Sequence, residues 1–456
     1  MATIDLIVLG NAPIPKALIS MGIPTMLGMM VNAIYNLVDA YFVGGLGTSQ
    51  MGAISVVYPL GQVVVGLGLL FGNGAASYLS RLLGKGDKEK ANQVASTALY
   101  SSITVGVIMI IFSMIFLHPI LKLLGATDSI MPYAVTYASI YIVSCIFNVF
   151  NVTMNNIVTS EGAAKTTMLA LMAGAILNIG LDPVFIYVLD MGVAGAAIAT
   201  AISQIISTLV YLTFVLRKKS IYNFRIKNCT FTKEIISEIF KIGIPTLVFQ
   251  ILTSLSISLV NTQARPYGDS VIAGMGAVTR VVSMGSLMVF GFIKGFQPIA
   301  GYSYGAKKFD RLHEAIKTSI IWSTAFCVIY GLVLTIFSKG IISQFTKGDL
   351  EMIRVGTQSL RINGISFMLF GFYTVYSSLF LALGKGLAGF ILGSCRQGIC
   401  FVPVILILPA FWGINGILYV QPIADLLSAI ITIFMALHLH KELTLTKQKF
   451  LSEKTE

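Results

Sequence analysis

The sequence predicts an all-α, polytopic membrane protein with twelve transmembrane helices in two pseudo-symmetric six-helix lobes. Of its 456 residues, 56% are hydrophobic and only 11% are charged, which is typical of chains that cross a bilayer many times. Apolar runs of about 20 residues or more recur along the whole chain. These runs are too long for the strands of a barrel and do not alternate. The predicted spans are 17–43, 52–80, 92–117, 131–157, 164–189, 193–216, 241–264, 271–299, 313–338, 355–383, 387–409 and 413–439.

An internal repeat predicts the two lobes. The segment 21–25 (MGIPT) returns as 242–246 (IGIPT), an offset of 221 residues. Each half contains an even number of spans, so both halves insert with the same orientation and form a parallel repeat. We expect an N-terminal lobe at 1–216, a cytoplasmic linker at 217–240, a C-terminal lobe at 241–440 and a cytoplasmic tail at 441–456. Further matches near this offset are Gly74/Gly295, Gly84/Gly305, Asp128/Asp349, Gly162/Gly384, Gly192/Gly413 and Gly195/Gly416.

The net charge of +12 has a membrane explanation. If the N-terminus is cytoplasmic, 22 of the 31 Lys and Arg residues fall in cytoplasmic segments and 5 in outer loops. The positive-inside rule then predicts a multi-pass protein of the cell (inner or plasma) membrane with both termini in the cytoplasm. The basic residues are spread over short loops rather than gathered on one domain, so we expect no nucleic-acid partner. A monomer is the default oligomeric state.

Acidic residues are nearly absent from the spans. Of 19 acids, only Asp39, Asp182 and Asp425 lie in the interior of the spans, since Glu314 stands at the very start of its span. A charge at the bilayer centre costs roughly 2.5–3.5 kcal/mol on insertion scales, and such residues usually mark an ion or substrate pathway. Asn178 lies one helical turn before Asp182, and the hairpin between spans five and six brings Thr200 to the depth of Asp182.

These side chains predict a cation site in the first half. Asp39 has a similar depth in the first span, and Pro183 frees the carbonyl of Ile179 by breaking a helical hydrogen bond. Carboxylate, amide, hydroxyl and carbonyl oxygens suit H⁺ or Na⁺, so Asp39, Asn178, Asp182 and Thr200 are the predicted coupling residues and the Na⁺ ligands if Na⁺ is used. A structural role for Asn178 and Thr200, as interhelical hydrogen-bonding partners, is the alternative.

Other polar residues within the spans are candidates for a substrate cavity. In the first half they follow helical faces of the first and fourth spans. In the second half, Lys294 lies in the inner part of its span, where it lines the cavity or extends to the interface. Asp425 and Arg396 are candidates for an ion pair. The cavity candidates are Asn32, Tyr35, Asn36, Asn151, Asn155, Gln250, Lys294 and Asp425.

Together, several motifs resemble the multidrug and toxic compound extrusion (MATE) transporters. They are residues 15–18 (PKAL), 38–44 (VDAYFVG), 178–183 (NIGLDP) and 192–197 (GVAGAA), followed by Ala199 and Thr200. An Asp in the first span points to the DinF-like branch, which includes bacterial multidrug exporters. The resemblance implies a V-shaped pair of lobes and a cation site at Asp39, Asn178, Asp182 and Thr200. Some relatives place a carboxylate near the position of Lys294, so an acid-based site there is not expected.

The expected function is secondary active multidrug efflux, in which H⁺ and/or Na⁺ is exchanged for amphipathic, mostly cationic drugs or dyes by alternating access. No motif for ATP binding, metalloprotease or serine hydrolase chemistry is present, so neither an enzyme nor a cofactor is expected. A lipid-linked precursor flippase is the alternative, because Arg280, Lys294 and Arg396 would suit a pyrophosphate. A non-transporting membrane receptor is a third reading.

Overall fold

The computed structural model describes the backbone of residues 7–345 and 348–455, without the side chains at positions 36, 37, 40, 44, 48, 51, 269 and 453–455. Every regular element in this part of the chain is a helix. The first lobe contains α1 (Ile14–Gly44), α2 (Thr48–Lys85), α3 (Lys88–Ile115), α4 (Met131–Ser160), α5 (Ala164–Pro183) and α6 (Gly192–Leu216). The second contains α7 (Lys233–Ala264), α8 (Asp269–Gly305), α9 (Phe309–Ile336), α10 (Leu350–Phe367 and Phe370–Ala382), α11 (Gly386–Ser394 and Phe401–Trp412) and α12 (Ile414–Thr455).

The predicted twelve-span fold is confirmed. Within the described ranges, eleven helical stretches are long and apolar enough to cross a bilayer, and the two segments of α10 supply the twelfth. The predicted span at 355–383 is present but broken, because its two segments meet at an angle of 52°. No proline causes the break. Instead, Gly364 packs on the backbone of Gly331 and Gly371 on that of Ser323, which holds each segment separately against α9.

The two lobes meet through their repeated helices, with α1 packed on α8 and α2 packed on both α7 and α8. Glycines related by the 221-residue offset lie at reciprocal backbone contacts. A Cβ atom on Gly84 would lie 2.2 Å from the carbonyl oxygen of Tyr302, and one on Gly305 would lie 2.1 Å from that of Arg81. The repeat therefore builds the lobe interface from the same surface of each copy.

The described side-chain hydrogen bonds between the lobes lie toward one side of the molecule. Among the described residues, the side-chain hydrogen bonds across the interface lie at the Gln62–Gln250 pair or closer to the linker. Thr25 donates to the Gly291 carbonyl at 2.6 Å, and Thr246, its counterpart in the repeat, accepts from Asn73 at 2.8 Å. The lobes are therefore joined on the linker side, which is the predicted cytoplasmic side.

The linker packs on the first lobe. Glu161, at the end of α4, is 1% exposed and accepts hydrogen bonds from Ser220 Oγ at 2.9 Å and from the Ile221 amide at 2.6 Å. Thr97 and Thr230 exchange two further bonds of 3.1 and 3.0 Å. Since α7 begins at Lys233, only a short stretch separates these contacts from the second lobe.

Candidate cation site and the second-lobe ion pair

Two acids from different helices meet inside the first lobe. Asn178 and Asp182 are fully buried one turn apart on α5, and Asn178 Nδ2 donates to Asp182 Oδ1 at 3.3 Å. The carboxyl group of Asp39, on α1, lies close enough to that of Asp182 for the two groups to interact electrostatically. Ionised carboxylates only accept hydrogen bonds, so the two groups can bond to each other only when one of them carries a proton.

Several oxygens at this site lack a partner. Asp39 Oδ1, Asn178 Oδ1 and Asp182 Oδ2 are buried and have no hydrogen-bond donor among the described atoms. The described ion pairs do not include Asp39 or Asp182. Leaving buried acceptors unsatisfied is costly, and oxygen atoms of this kind suit a proton or a hard monovalent cation. Within the described part, no cluster of three His, Cys, Asp or Glu residues offers a site for another metal.

The helix changes its hydrogen-bonding pattern directly after Asp182. Residues Val184–Val188 form a π-helix, in which the Leu189 amide donates to the Val184 carbonyl at 2.9 Å. This wider turn follows Pro183, which cannot donate a backbone hydrogen bond. Tyr187 in the π-helix donates to the carbonyl of Phe42 at 2.5 Å, close after Asp39 along α1. A π-turn often marks a functional site, and here it ties α5 to the end of α1.

Thr200 is buried on α6, which packs against α5. None of the described hydrogen bonds joins it to Asn178 or Asp182. Tyr35 does approach the acids, since its hydroxyl group interacts electrostatically with both Asp39 and Asp182.

Sequence reasoning missed Tyr137. This buried residue of α4 interacts electrostatically with Asp39, Asp182 and Tyr35, and its ring stacks on that of Tyr141 at 5.7 Å. No motif marks it. Its position 45 residues before Asp182 becomes meaningful only once α4 and α1 are brought together, so only the fold could reveal it.

The remaining first-lobe candidates for the substrate cavity lie in different surroundings. Asn151 lies inside the lobe, where it donates to Gln204 Oε1 at 2.8 Å and accepts from Thr208 Oγ1 at 2.9 Å. It therefore joins α4 to α6. The side chain of Asn32 is exposed, and that of Asn36 lies outside the described residues.

Three candidates lie at contacts between the lobes. Gln250 donates to Gln62 across the interface. Lys294 Nζ, on α8, donates to Asn155 Oδ1 on α4 at 2.7 Å, and Asn155 Nδ2 donates to Tyr211 at 3.2 Å. The positive charge of Lys294 thus lies at the lobe interface, in contact with an amide rather than an acid.

In the second lobe, Asp425 pairs with Arg396. Arg396 Nε donates to Asp425 Oδ1 at 2.8 Å, and both residues are buried. Gln421 also donates to Asp425 Oδ1 at 2.8 Å, and Ser366 donates to Oδ2 at 3.0 Å. The guanidinium group lies 4.6 Å from the ring centre of Phe370. Asp425 is therefore fully engaged in a structural pair and does not present a free carboxylate to a cavity.

Arg396 lies on a second π-helix, Cys395–Ile399, between the two segments of α11. Both lobes thus widen a helix beside a buried acid. Fold and site together define a polytopic helical membrane protein of two repeated lobes, with protonatable carboxyl groups inside the first.

Comparison with known proteins shows the family to which this chain belongs. The MatE family model matches residues 24–184 and 245–407, one block in each lobe. The multidrug export protein MepA of Staphylococcus aureus is 31% identical over 436 residues, which cover 95% of this chain and 96% of that protein. The chain belongs to the MatE family.

Solved structures agree with this assignment. A crystal structure of MATE in complex with MaL6 superposes with a TM-score of 0.92 at 26% identity and covers 96% of this chain and 99% of its own. An outward-facing multidrug resistance MATE transporter superposes with a TM-score of 0.90, also at 26% identity, and covers 96% of this chain and 98% of its own. The predicted family and the two-lobe architecture are confirmed.

Proposed function

We propose that this protein is a secondary antiporter that exports amphipathic organic compounds in exchange for H⁺ or Na⁺. The observation that carries the proposal is the pair of neighbouring carboxyl groups of half-buried Asp39 and buried Asp182, which have oxygens without a donor and no described basic partner. A binding site that must release its cation in each cycle cannot be neutralised permanently by Arg or Lys. Multidrug export by relatives such as MepA supports drugs or dyes as substrates.

In the proposed cycle, the coupling ion enters from the side opposite the linker. H⁺ or Na⁺ binds at Asp39 and Asp182, with Asn178 Oδ1 as a further acceptor and Thr200 nearby on α6. Because α1 carries Asp39 and packs on α8, a shift of α1 toward the neutralised pair would change the lobe interface. The drug leaves outward, and the lobes then rock to open on the linker side.

Ion gradients are large enough to drive this exchange. One pH unit supplies about 1.4 kcal/mol per proton. A membrane potential of 100 mV supplies about 2.3 kcal/mol per net charge moved. Exchange of one monovalent drug cation for one proton moves no net charge, so it draws on the pH gradient alone.

The proposed location is the cell membrane, with both termini and the linker in the cytoplasm, and the protein acts as a monomer. The structure weakens the case for a lipid-linked precursor flippase, since Arg396 is committed to Asp425 and the side chain of Arg280 is exposed. A receptor without transport activity would show no substrate flux.

Dye efflux from proteoliposomes tests the proposal. The pH and Na⁺ gradients are imposed separately on the wild type, on Asp182→Asn and on Asp128→Asn, a control acid outside the described helices. We expect one gradient to drive efflux in the wild type and the control, but not in Asp182→Asn. Absence of gradient-driven flux in the wild type would refute the antiporter.

A further inference from the structure

A small polar pocket crosses the lobe interface on the linker side. Its first-lobe wall comes from α2 and α4, including Asn73 and Asn156, and its second-lobe wall from α8, including Lys294 and Gln297. Lys294 is the only charged residue among the described residues that line it. The pocket is distinct from the paired carboxyl groups of Asp39 and Asp182, which lie within the first lobe.

The hydrogen bonding of Lys294 is incomplete. An ammonium group has three N–H donors, and the one described bond of Lys294 goes to the amide oxygen of Asn155 at 2.7 Å. Lys294 is half-buried, and a charge partly withdrawn from water is stabilised by an opposite charge or by several acceptors. Gln297 Nε2 and Asn73 Oδ1 meet at 3.3 Å beside it and bring further amide groups to the same pocket.

The bond between Lys294 and Asn155 depends on how the lobes are arranged. The two residues belong to different lobes, so rocking that separates the lobes on the linker side breaks this bond. Lys294 then loses its described acceptor while it faces a vestibule open to the linker side. An anionic group entering that vestibule would replace Asn155 with a charge-assisted hydrogen bond, which is stronger than a neutral one.

We propose that Lys294 and Gln297, both on α8, form a loading site for the anionic group of an amphipathic substrate, such as a carboxylate, sulfonate or phosphate. This inference rests on the proposed function and names a substrate class for it: zwitterionic or anionic compounds in addition to cations. When the lobes close again, Asn155 competes for Lys294 and displaces the anionic group, which links release to the conformation seen here.

The test uses a matched pair of fluorescent probes, a rhodamine dye with a free carboxylate and the methyl ester of the same dye. Their affinities for the full-length purified protein are measured by fluorescence polarisation for the wild type, Lys294→Gln, Lys294→Arg and Asn155→Ala. We expect Lys294→Gln to weaken binding of the carboxylate dye about tenfold, as for a lost charged hydrogen bond, and Lys294→Arg to retain binding. We expect Asn155→Ala to tighten it, because the competing acceptor is gone.

The ester dye is the control for misfolding of a variant. It also controls for a Lys294–Asn155 pair that only joins the lobes and binds no anionic group. Its affinity should stay within about twofold in all variants. Equal effects on both dyes, or effects of Lys294→Gln and Asn155→Ala in the same direction, would show that the pair only joins the lobes and would overturn the loading site.

Efflux of both dyes from proteoliposomes separates this inference from the antiporter itself. Carboxylate-selective binding through Lys294 without gradient-driven efflux would leave the site standing and refute the antiporter. Gradient-driven efflux of both dyes, with unchanged selectivity in Lys294→Gln, would support the antiporter and overturn the loading site.

Discussion

The two lobes share one fold but treat their buried acids differently. In the first, Asp39 and Asp182 lie close together and retain buried oxygens without a described donor. In the second, both oxygens of Asp425 accept hydrogen bonds, and Arg396 neutralises the charge. A carboxylate that is permanently paired cannot exchange a cation. The two lobes share a helical scaffold because the chain is duplicated. Whether a buried acid is paired with a basic residue determines which lobe can couple to an ion.

The largest expected effect is on coupling in the first lobe. Asp182→Asn should abolish ion-driven efflux, since an amide can neither take up a proton nor neutralise Na⁺. Drug resistance of cells that express the variant at wild-type levels is the measurement. Resistance equal to that of the wild type would mean that the first lobe does not carry the coupling.

Substitutions in the buried ion pair of the second lobe should change the stability of the protein. Arg396→Gln removes the positive partner of a buried acid and should destabilise the protein by about 3–5 kcal/mol. The double variant Arg396→Met/Asp425→Leu should recover most of that loss, because no unpaired charge remains. Thermal unfolding in detergent, with gradient-driven efflux of the double variant, measures both effects. Coupling that fails in a stable double variant would contradict a purely structural role for this pair.

The lobe interface should be sensitive to a single methyl group. Gly84→Ala would place Cβ 2.2 Å from the carbonyl oxygen of Tyr302, so the lobes must shift apart. We expect a loss of about 1–3 kcal/mol, as for an overpacked core. Gly276→Ala in α8 is the control, since no heavy atom lies within 4 Å of its added Cβ. Equal unfolding temperatures for the two variants would argue against a tight contact at Gly84.

The smallest effect concerns a turn that both lobes share. Gly86 and Lys307 are related by the 221-residue offset, and both adopt left-handed backbone angles, with φ values of 80° and 56°. Such a conformation costs a non-glycine residue about 1 kcal/mol. Lys307→Gly should therefore stabilise the second lobe by up to that amount, whereas Lys307→Ala should not. Chemical unfolding of both variants tests this, and equal stability would show that the turn is unstrained.

The fold could be predicted from the sequence because the patterns that indicate it extend over many residues. Apolar runs of membrane length and a constant 221-residue offset do not depend on tertiary contacts, and both predicted the architecture correctly. The break in α10 was missed because no proline marks it. It depends on glycine contacts with α9, which the sequence does not reveal.

The polar residues were harder to predict. Spacing along one helix placed Asn178 beside Asp182, and common depth placed Asp39 near them. Contacts between different helices had no such signal, so Asn151 joins α4 to α6 although its position suggested a cavity. The acceptor that Asn155 offers to Lys294 could not be foreseen either, because the two residues are 139 positions apart in different lobes.

The docked linker limits how the two lobes can swing. The last described bond to the first lobe before α7 is at Thr230, and α7 begins three residues later at Lys233. Three residues span roughly 10 Å when fully extended. Glu234 is also held from the first lobe by Lys90 at 2.6 Å and by Tyr78 at 2.9 Å. These contacts hold α7 close to α2, which limits how far the lobes can separate along that flank.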